Sequence, residues 1–241
     1  MKITAGRMHF QELNERIRAC PDERIEIDGC VGQRYIGSGL SGKTLLVGGI
    51  PGNALGAYLD GSTIVTGGNA QDATGDTMND GRILIHGSCG DGAGYGMRGG
   101  KIYIHGDVGY RAGIHMKAYR DKLPVLVVGG TAGSFLGEYQ AGGVVVVLGL
   151  RRPAGTPLTG YFCGTGMHGG KIFLRCGEKP AGLSERIRAA QASVADLAEI
   201  DGYLDEFCTT FGEDKGAVLA ERFWVLTPDS KNPYKQLYTY N

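Results

Sequence analysis

The chain has 241 residues, 25 basic and 25 acidic side chains, and 43 glycines, more than twice the usual share for a soluble domain. Balanced charge gives it no general attraction for nucleic acid or for an anionic membrane surface. No apolar run approaches the roughly 18 residues that a membrane span needs, and six cysteines without a CxxC spacing predict reduced thiols in the cytoplasm.

Residues 1–22 lack the apolar core of a signal peptide and predict a short helix at His9–Cys20. From residue 23 onward one seven-residue phrase recurs eight times. It reads Glu23–Gly29 (ERIEIDG), Gly42–Gly48 (GKTLLVG), Gly61–Gly67 (GSTIVTG), Gly81–Gly87 (GRILIHG) and Gly100–Gly106 (GKIYIHG). It continues as Leu123–Gly129 (LPVLVVG), Gly143–Gly149 (GVVVVLG) and Gly170–Cys176 (GKIFLRC), with intervals of 19, 19, 20, 19, 23, 20 and 27 residues between the closing positions. A period of about 20 residues with one β-branched strand per repeat is the signature of a solenoid. Glycine-rich connections and the lack of helix signals between residues 24 and 176 argue against βαβ units. The expected architecture is an all-β solenoid over 23–176, a parallel β-helix whose rungs stack about 4.8 Å apart.

Positions three and five of the phrase are expected to point inward: Ile25/Ile27, Thr44/Leu46, Thr63/Val65, Ile83/Ile85, Ile102/Ile104, Val125/Val127, Val145/Val147 and Ile172/Leu174. Positions two and six carry Arg24, Asp28, Arg82, His86, Lys101, His105, Lys171 and Arg175, the solvent side. Position four shares their parity yet is apolar in seven of the eight copies, among them Ile64, Leu84, Tyr103, Leu126, Val146 and Phe173. Stacking would align these into an outer apolar stripe that needs a cover.

Residues 177–241 form a different segment. Leu183, Ile187, Val194, Leu197, Ile200, Leu204, Phe207 and Phe211 follow one another at helical spacing and predict one long helix. Gly202 weakens it and Gly212 ends it. Its stripe matches the uncovered face of the repeats, so it is expected to lie there. The aromatic tail from Phe223 to Tyr240, with the single tryptophan Trp224, is then left as an arm for a partner.

Several motifs lose their chemistry in this frame. Gly37–Thr44 (GSGLSGKT) matches the phosphate-binding GxxxxGK[ST] pattern, but a strand (Leu45, Leu46, Val47) follows where a helix must begin. GKIYIHG and GKIFLRC open other repeats in the same way, so Lys43 is expected to be a turn residue facing solvent. His86 and His105 fall at one position of adjacent repeats, close enough to share a metal. Thr66 and Val128, expected beside them, complete no site, so a solvated polar ladder is expected; His115 and His168 stand alone. There is no GxSxG, and no Cys–His pairing is suggested by spacing. No residue is therefore assigned as catalytic, cofactor-binding or metal-ligating.

The glycine grammar of residues 60–176 resembles the GXGXG domain at the C-terminal end of the glutamate synthase large (alpha) subunit. The resemblance rests on GGNAQDATGD, GDVGYRAGIHMKAY, VVGGTAGSFLGEYQAGGVVVVLG and the closing GMHGGKIFL, with YIGSGLSGKTLLV upstream, and covers about two thirds of the chain. In that upstream segment Lys43 stands where the family usually has a glycine. A similar domain forms one of the subunits of formylmethanofuran dehydrogenases. The resemblance implies a right-handed parallel β-helix without catalytic residues, here a separate scaffold subunit. It further implies amidotransferase and FMN-binding synthase partners that carry FMN and an iron–sulfur cluster. A homo-oligomer is compatible with it, and a stand-alone β-helical enzyme is the reading from another class.

Overall fold

Each of the eight phrases becomes one strand, and each strand pairs in parallel with the one a repeat later. The computed structural model describes residues 1–229. The phrase strands are β2 (Arg24–Val31), β3 (Thr44–Ile50), β4 (Asp60–Thr66), β5 (Asp80–Ile85), β6 (Lys101–Ile104), β7 (Val125–Val128), β8 (Ala141–Val147) and β9 (Gly169–Arg175). With β1 (Lys2–Thr4), β10 (Ile187–Gln191) and β11 (Phe223–Pro228) they make one open, mostly parallel sheet in the order β1-β2-β3-β4-β5-β6-β7-β8-β9-β11-β10. The protein is mostly β, with three helices among the described residues.

The register runs Val47, Thr66, Ile85, Ile104, Val128, Val147, Leu174, all buried in the inner core. Ile83 and Ile102 flank it as expected, but three phrases are turned over. Leu45 and Val47 point inward, not Thr44 and Leu46; Ile64 and Thr66 replace Thr63 and Val65; Leu126 and Val128 replace Val125 and Val127 as members of that core. The cause is a doubled glycine. In Gly48-Gly49, Gly67-Gly68 and Gly129-Gly130 the second glycine is the corner: Gly87 donates its N–H to Gly68 O at 3.2 Å, and Gly130 donates to Gly106 O at 2.8 Å. Counting back from the first glycine slips the strand by one residue, which exchanges its two faces.

Both flanks of the repeats also depart from expectation. The N-terminal helix α1 (Phe10–Ala19) forms where predicted, with His9 as its N-cap, and sets Leu13 and Ile17 into the first repeat's core. The C-terminal helix does not begin at Leu183. Residues 187–191 are strand β10, and the capping box of Ser193 and Asp196 starts α2 (Val194–Phe211), which Gly212 closes at φ 71°. A short α3 (Lys215–Ala220) leads into β11, which enters antiparallel between β9 and β10. Residues 223–228 of the expected arm are therefore an interior strand; the remainder, from residue 230, lies outside the described residues.

Helix α2 does cover the outer face. Ile200, Leu204 and Phe207 pack on Tyr103, Val127, Val146 and Phe173, a second core separate from the inner one. Ile64 and Leu126, expected in this stripe, belong to the inner core instead, for the register reason above. At about 1.5 Å per residue, α2 reaches roughly 27 Å, enough for β6 to β9 but not for the whole sheet.

Candidate interaction surfaces

Between strands the chain turns through a five-residue corner whose first, third and fifth residues are all left-handed. Gly37, Gly56, Gly75, Gly94, Gly113, Gly137 and Gly164 occupy the third position, with φ between 63° and 73°. The missing Cβ would point toward the core, and at Gly37, Gly56, Gly75 and Gly137 it would clash there. At Gly56 it would stand 2.6 Å from Ile83 Cδ1, and at Gly137 2.6 Å from Ile172 Cδ1. The first position is Tyr35, Ala54, Ala73, Gly92, Arg111, Phe135 and Phe162; the fifth is Gly39, Tyr58, Thr77, Gly96, His115, Tyr139 and Gly166. Except at buried Ala54, side chains there are exposed or half-buried, so a left-handed backbone that costs roughly 1–2 kcal/mol per residue is tolerated without a core clash.

The corners are tied by a repeated bond set. Tyr35, Ala54, Ala73, Gly92, Arg111 and Phe135 each donate a backbone N–H to the next repeat, at 2.7–2.9 Å. Gly39, Tyr58, Thr77, Gly96, His115 and Tyr139 do the same. Side chains reinforce the stack: Asp72 accepts the Asp91 N–H at 2.9 Å, Asp91 accepts that of Tyr110 at 2.8 Å, and Ser134 accepts that of Tyr161 at 3.0 Å. A further column of parallel bridges joins Ala70, Cys89, Val108, Ala132 and Thr159.

The outcome is an aromatic ridge that α2 leaves uncovered. Tyr58, Tyr95, Tyr110, Tyr139 and Phe162 are exposed, and Tyr161 is 80 % exposed. Rings stack along it: His115 on Tyr139 at 5.3 Å between centroids, Phe135 on Phe162 at 5.0 Å, with the Arg111 guanidinium 4.8 Å above Phe135. Aromatic and arginine side chains on one exposed ridge are the composition of a protein–protein contact. His115, read as isolated in the sequence, is part of this ridge. The signal available beforehand was the recurrence of Tyr, His and Phe beside the central glycines.

Of the charged side chains predicted to face solvent, Arg82, Lys101 and Lys171 are spent on α2, whereas Asp28 pairs with Lys2 and Arg175 donates to the carbonyls of Leu148, Ala217 and Val218. Glu206 accepts from Lys101 Nζ at 2.5 Å, Tyr103 Oη at 2.9 Å and Arg82 Nη1 at 3.0 Å. Burial pushes this carboxyl's pKa up, but the three donors outweigh it and hold the group below the ordinary glutamate value. Lys171 reaches Asp196 and Glu199 in the same way. His86 is exposed as expected, but His105 is half-buried, so the two do not form one solvated ladder. Phe211 stacks on His105 at 4.8 Å and meets His86 edge-on at 5.0 Å, while Glu213 lies 2.6 Å from His105 Nε2 and also pairs with Arg151. Thr66 and Val128 do not sit beside them; both point into the core. Among the described residues no group of three or more His, Cys, Asp or Glu side chains could hold a metal ion.

Lys43 is engaged as well. Its Nζ donates to Cys20 O at 2.6 Å and Asp22 O at 3.1 Å, clasping the carbonyls at the exit of α1. Thr44 opens β3, not a helix, so GSGLSGKT lacks the geometry of a phosphate loop. Burial raises the Cys30 and Cys89 thiols to about 11 and Cys163 to about 12, which leaves them un-ionised at neutral pH. Beyond the last corner, Leu158, Thr159, Tyr161, Cys163, Leu174 and Leu183 border a cavity of about 700 Å³. Among the described residues no helix is long and apolar enough to cross a membrane.

The chain is 44 % identical to an uncharacterized protein of Methanocaldococcus jannaschii, over 98 % of this chain and 95 % of that protein. The model of the GXGXG motif family matches residues 24–229, which takes in α2, α3 and β11 as well as the eight phrases. The chain belongs to that family, whose domain is found in the large subunit of glutamate synthase.

Proposed function

We propose that this chain is a non-catalytic scaffold subunit of a glutamate synthase-like complex, folded as a right-handed parallel β-helix. Family membership across residues 24–229 carries the reading. The coil is supported by three columns, strands, bridges and left-handed corners, that each meet their counterpart one repeat later. Its ionic groups hold α2 in place, which is work for a scaffold and leaves turnover to other subunits. A glutamine amidotransferase and an FMN-binding synthase subunit would be the cytoplasmic partners, carrying FMN and any iron–sulfur cluster. The aromatic ridge is their contact surface.

Native co-purification tests this. The chain should elute with an amidotransferase and a flavoprotein, and the pooled complex should contain flavin. Elution with a molybdopterin subunit and an amidohydrolase would move it to the formylmethanofuran dehydrogenase type. Turnover by the purified single chain would overturn the scaffold reading altogether.

A further inference from the structure

The two ends of the repeat stack are finished differently. At the N-terminal end α1 closes the core, and Asn14 Nδ2 donates to Arg34 O at 3.1 Å, so the first corner is covered. At the C-terminal end β11 and β10 extend only the strand column. The bridge and corner columns stop at Thr159, Phe162 and Gly166.

Those three residues end three rows of donors. Ala132 gives its N–H to Leu158 O at 3.0 Å, Phe135 to Tyr161 O at 2.8 Å and Tyr139 to Thr165 O at 2.9 Å. Thr159, Phe162 and Gly166 occupy the corresponding places one repeat later, and their N–H groups have no partner among the described residues. The 700 Å³ cavity adjoins Thr159, with Leu158, Cys163, Leu174 and Leu183 as apolar wall. That volume lies within the roughly 300–1,000 Å³ of ligand-binding clefts.

We infer that the edge formed by Thr159, Phe162 and Gly166 takes up, as the next rung, a segment of a partner polypeptide that follows the same corner, with an apolar side chain seated in the cavity. Backbone donors at rung spacing recognise peptide carbonyls, the chemistry of strand addition. A small apolar ligand would fill the cavity and leave the donors unmet. A second copy stacked head to tail cannot serve, because α1 covers its first corner. The inference stands on the bond columns and not on the identity of the complex, so its failure leaves the co-purification result untouched.

The probe is a blocked synthetic nonapeptide, LTGYFSGTG. It repeats residues 158–166, the rung that stacks on 132–139 within this chain, with serine in place of Cys163. It is titrated into the isotope-labelled full-length protein. The amide signals of Thr159, Phe162 and Gly166 should move saturably, and their hydrogen exchange should slow by about tenfold or more, the mark of new backbone bonds. Thr159→Pro removes one donor and should weaken binding; Ala181→Trp, at an exposed residue bordering the cavity, fills it and should abolish binding while Tm is kept. Unchanged exchange at millimolar peptide would overturn the proposal. So would a fluorescent apolar dye that occupies the cavity and is not displaced by the peptide, which would mark a small-molecule site.

Discussion

Tyr103 donates its hydroxyl to Glu206 Oε2 at 2.9 Å, joining the middle of the sheet to the middle of α2 across 103 residues of sequence. The ring is fully buried beneath the helix, 6.3 Å from Phe207. Burial first, and then the carboxylate, push the phenol's pKa far up, so it stays a donor at every accessible pH.

Glu206→Ala should therefore cost about 1–3 kcal/mol, chiefly because it strands the buried Tyr103 hydroxyl; Arg82 and Lys101 stay solvated and add little. Urea unfolding of both proteins measures it. Glu206 also gives a pH dependence of known sign. Its folded pKa lies below the ordinary 4.5, so its contribution is complete above that value and is lost as pH falls through the folded pKa. The difference in stability between the native protein and Glu206→Gln should shrink on acidification below about pH 4.5.

Gly56→Ala should destabilise by about 2–4 kcal/mol, combining a left-handed φ with a core clash. Ala73→Gly, at the first position of the next corner, left-handed and half-buried, should be neutral or stabilising by up to about 1 kcal/mol, since glycine relieves the backbone strain there and the side chain is outside the inner core. Equal effects at the two sites would contradict the inward and outward assignment of the corner.

Ile104→Asp should prevent folding, because residue 104 is fully buried and a carboxylate there has no partner. Circular dichroism and solubility of the variant decide this directly.

Lys43→Ala should lower stability by about 1 kcal/mol through the two carbonyls it releases. Calorimetry with Mg-ATP should show no heat of binding for either protein. Micromolar binding that disappears with Lys43→Ala would restore the phosphate-loop reading.

Tyr58→Asn with Tyr139→Asn removes two rings from the ridge while keeping a residue that accepts left-handed φ. Tm should change little, and recovery of partner subunits in the native pull-down should fall. Full assembly by this double variant would move the contact surface elsewhere.

Truncation separates the end of the chain into two parts. Ending the chain before Phe223 should expose Phe173 and detach β10, giving aggregation, because β11 stands between β9 and β10. Ending it after Asp229 should leave the described fold intact by thermal melting.

The sequence by itself determined the period, the eight parallel strands and the disposal of the phosphate-loop match. β-branched phrases and glycine corners are local, and repetition averages out the ambiguity of any one copy. It also contained the helix stripe from Ile200 to Phe211 that covers Tyr103 and Phe173. Facing was another matter. Which side Leu45, Ile64 and Leu126 take depends on which glycine of a pair makes the corner, and that is decided by hydrogen bonding to the neighbouring repeat. Leu183 and Ile187 continue the stripe at helical spacing, yet their apolar surface packs against the inner core. Only tertiary structure could place β11 between β9 and β10, since its partners are about fifty residues upstream and about forty residues upstream respectively. The ridge and the open edge at Thr159 were hidden for the same reason: a lone tyrosine or an unused N–H has meaning only once its counterparts in the preceding repeats are seen to be stacked beneath it.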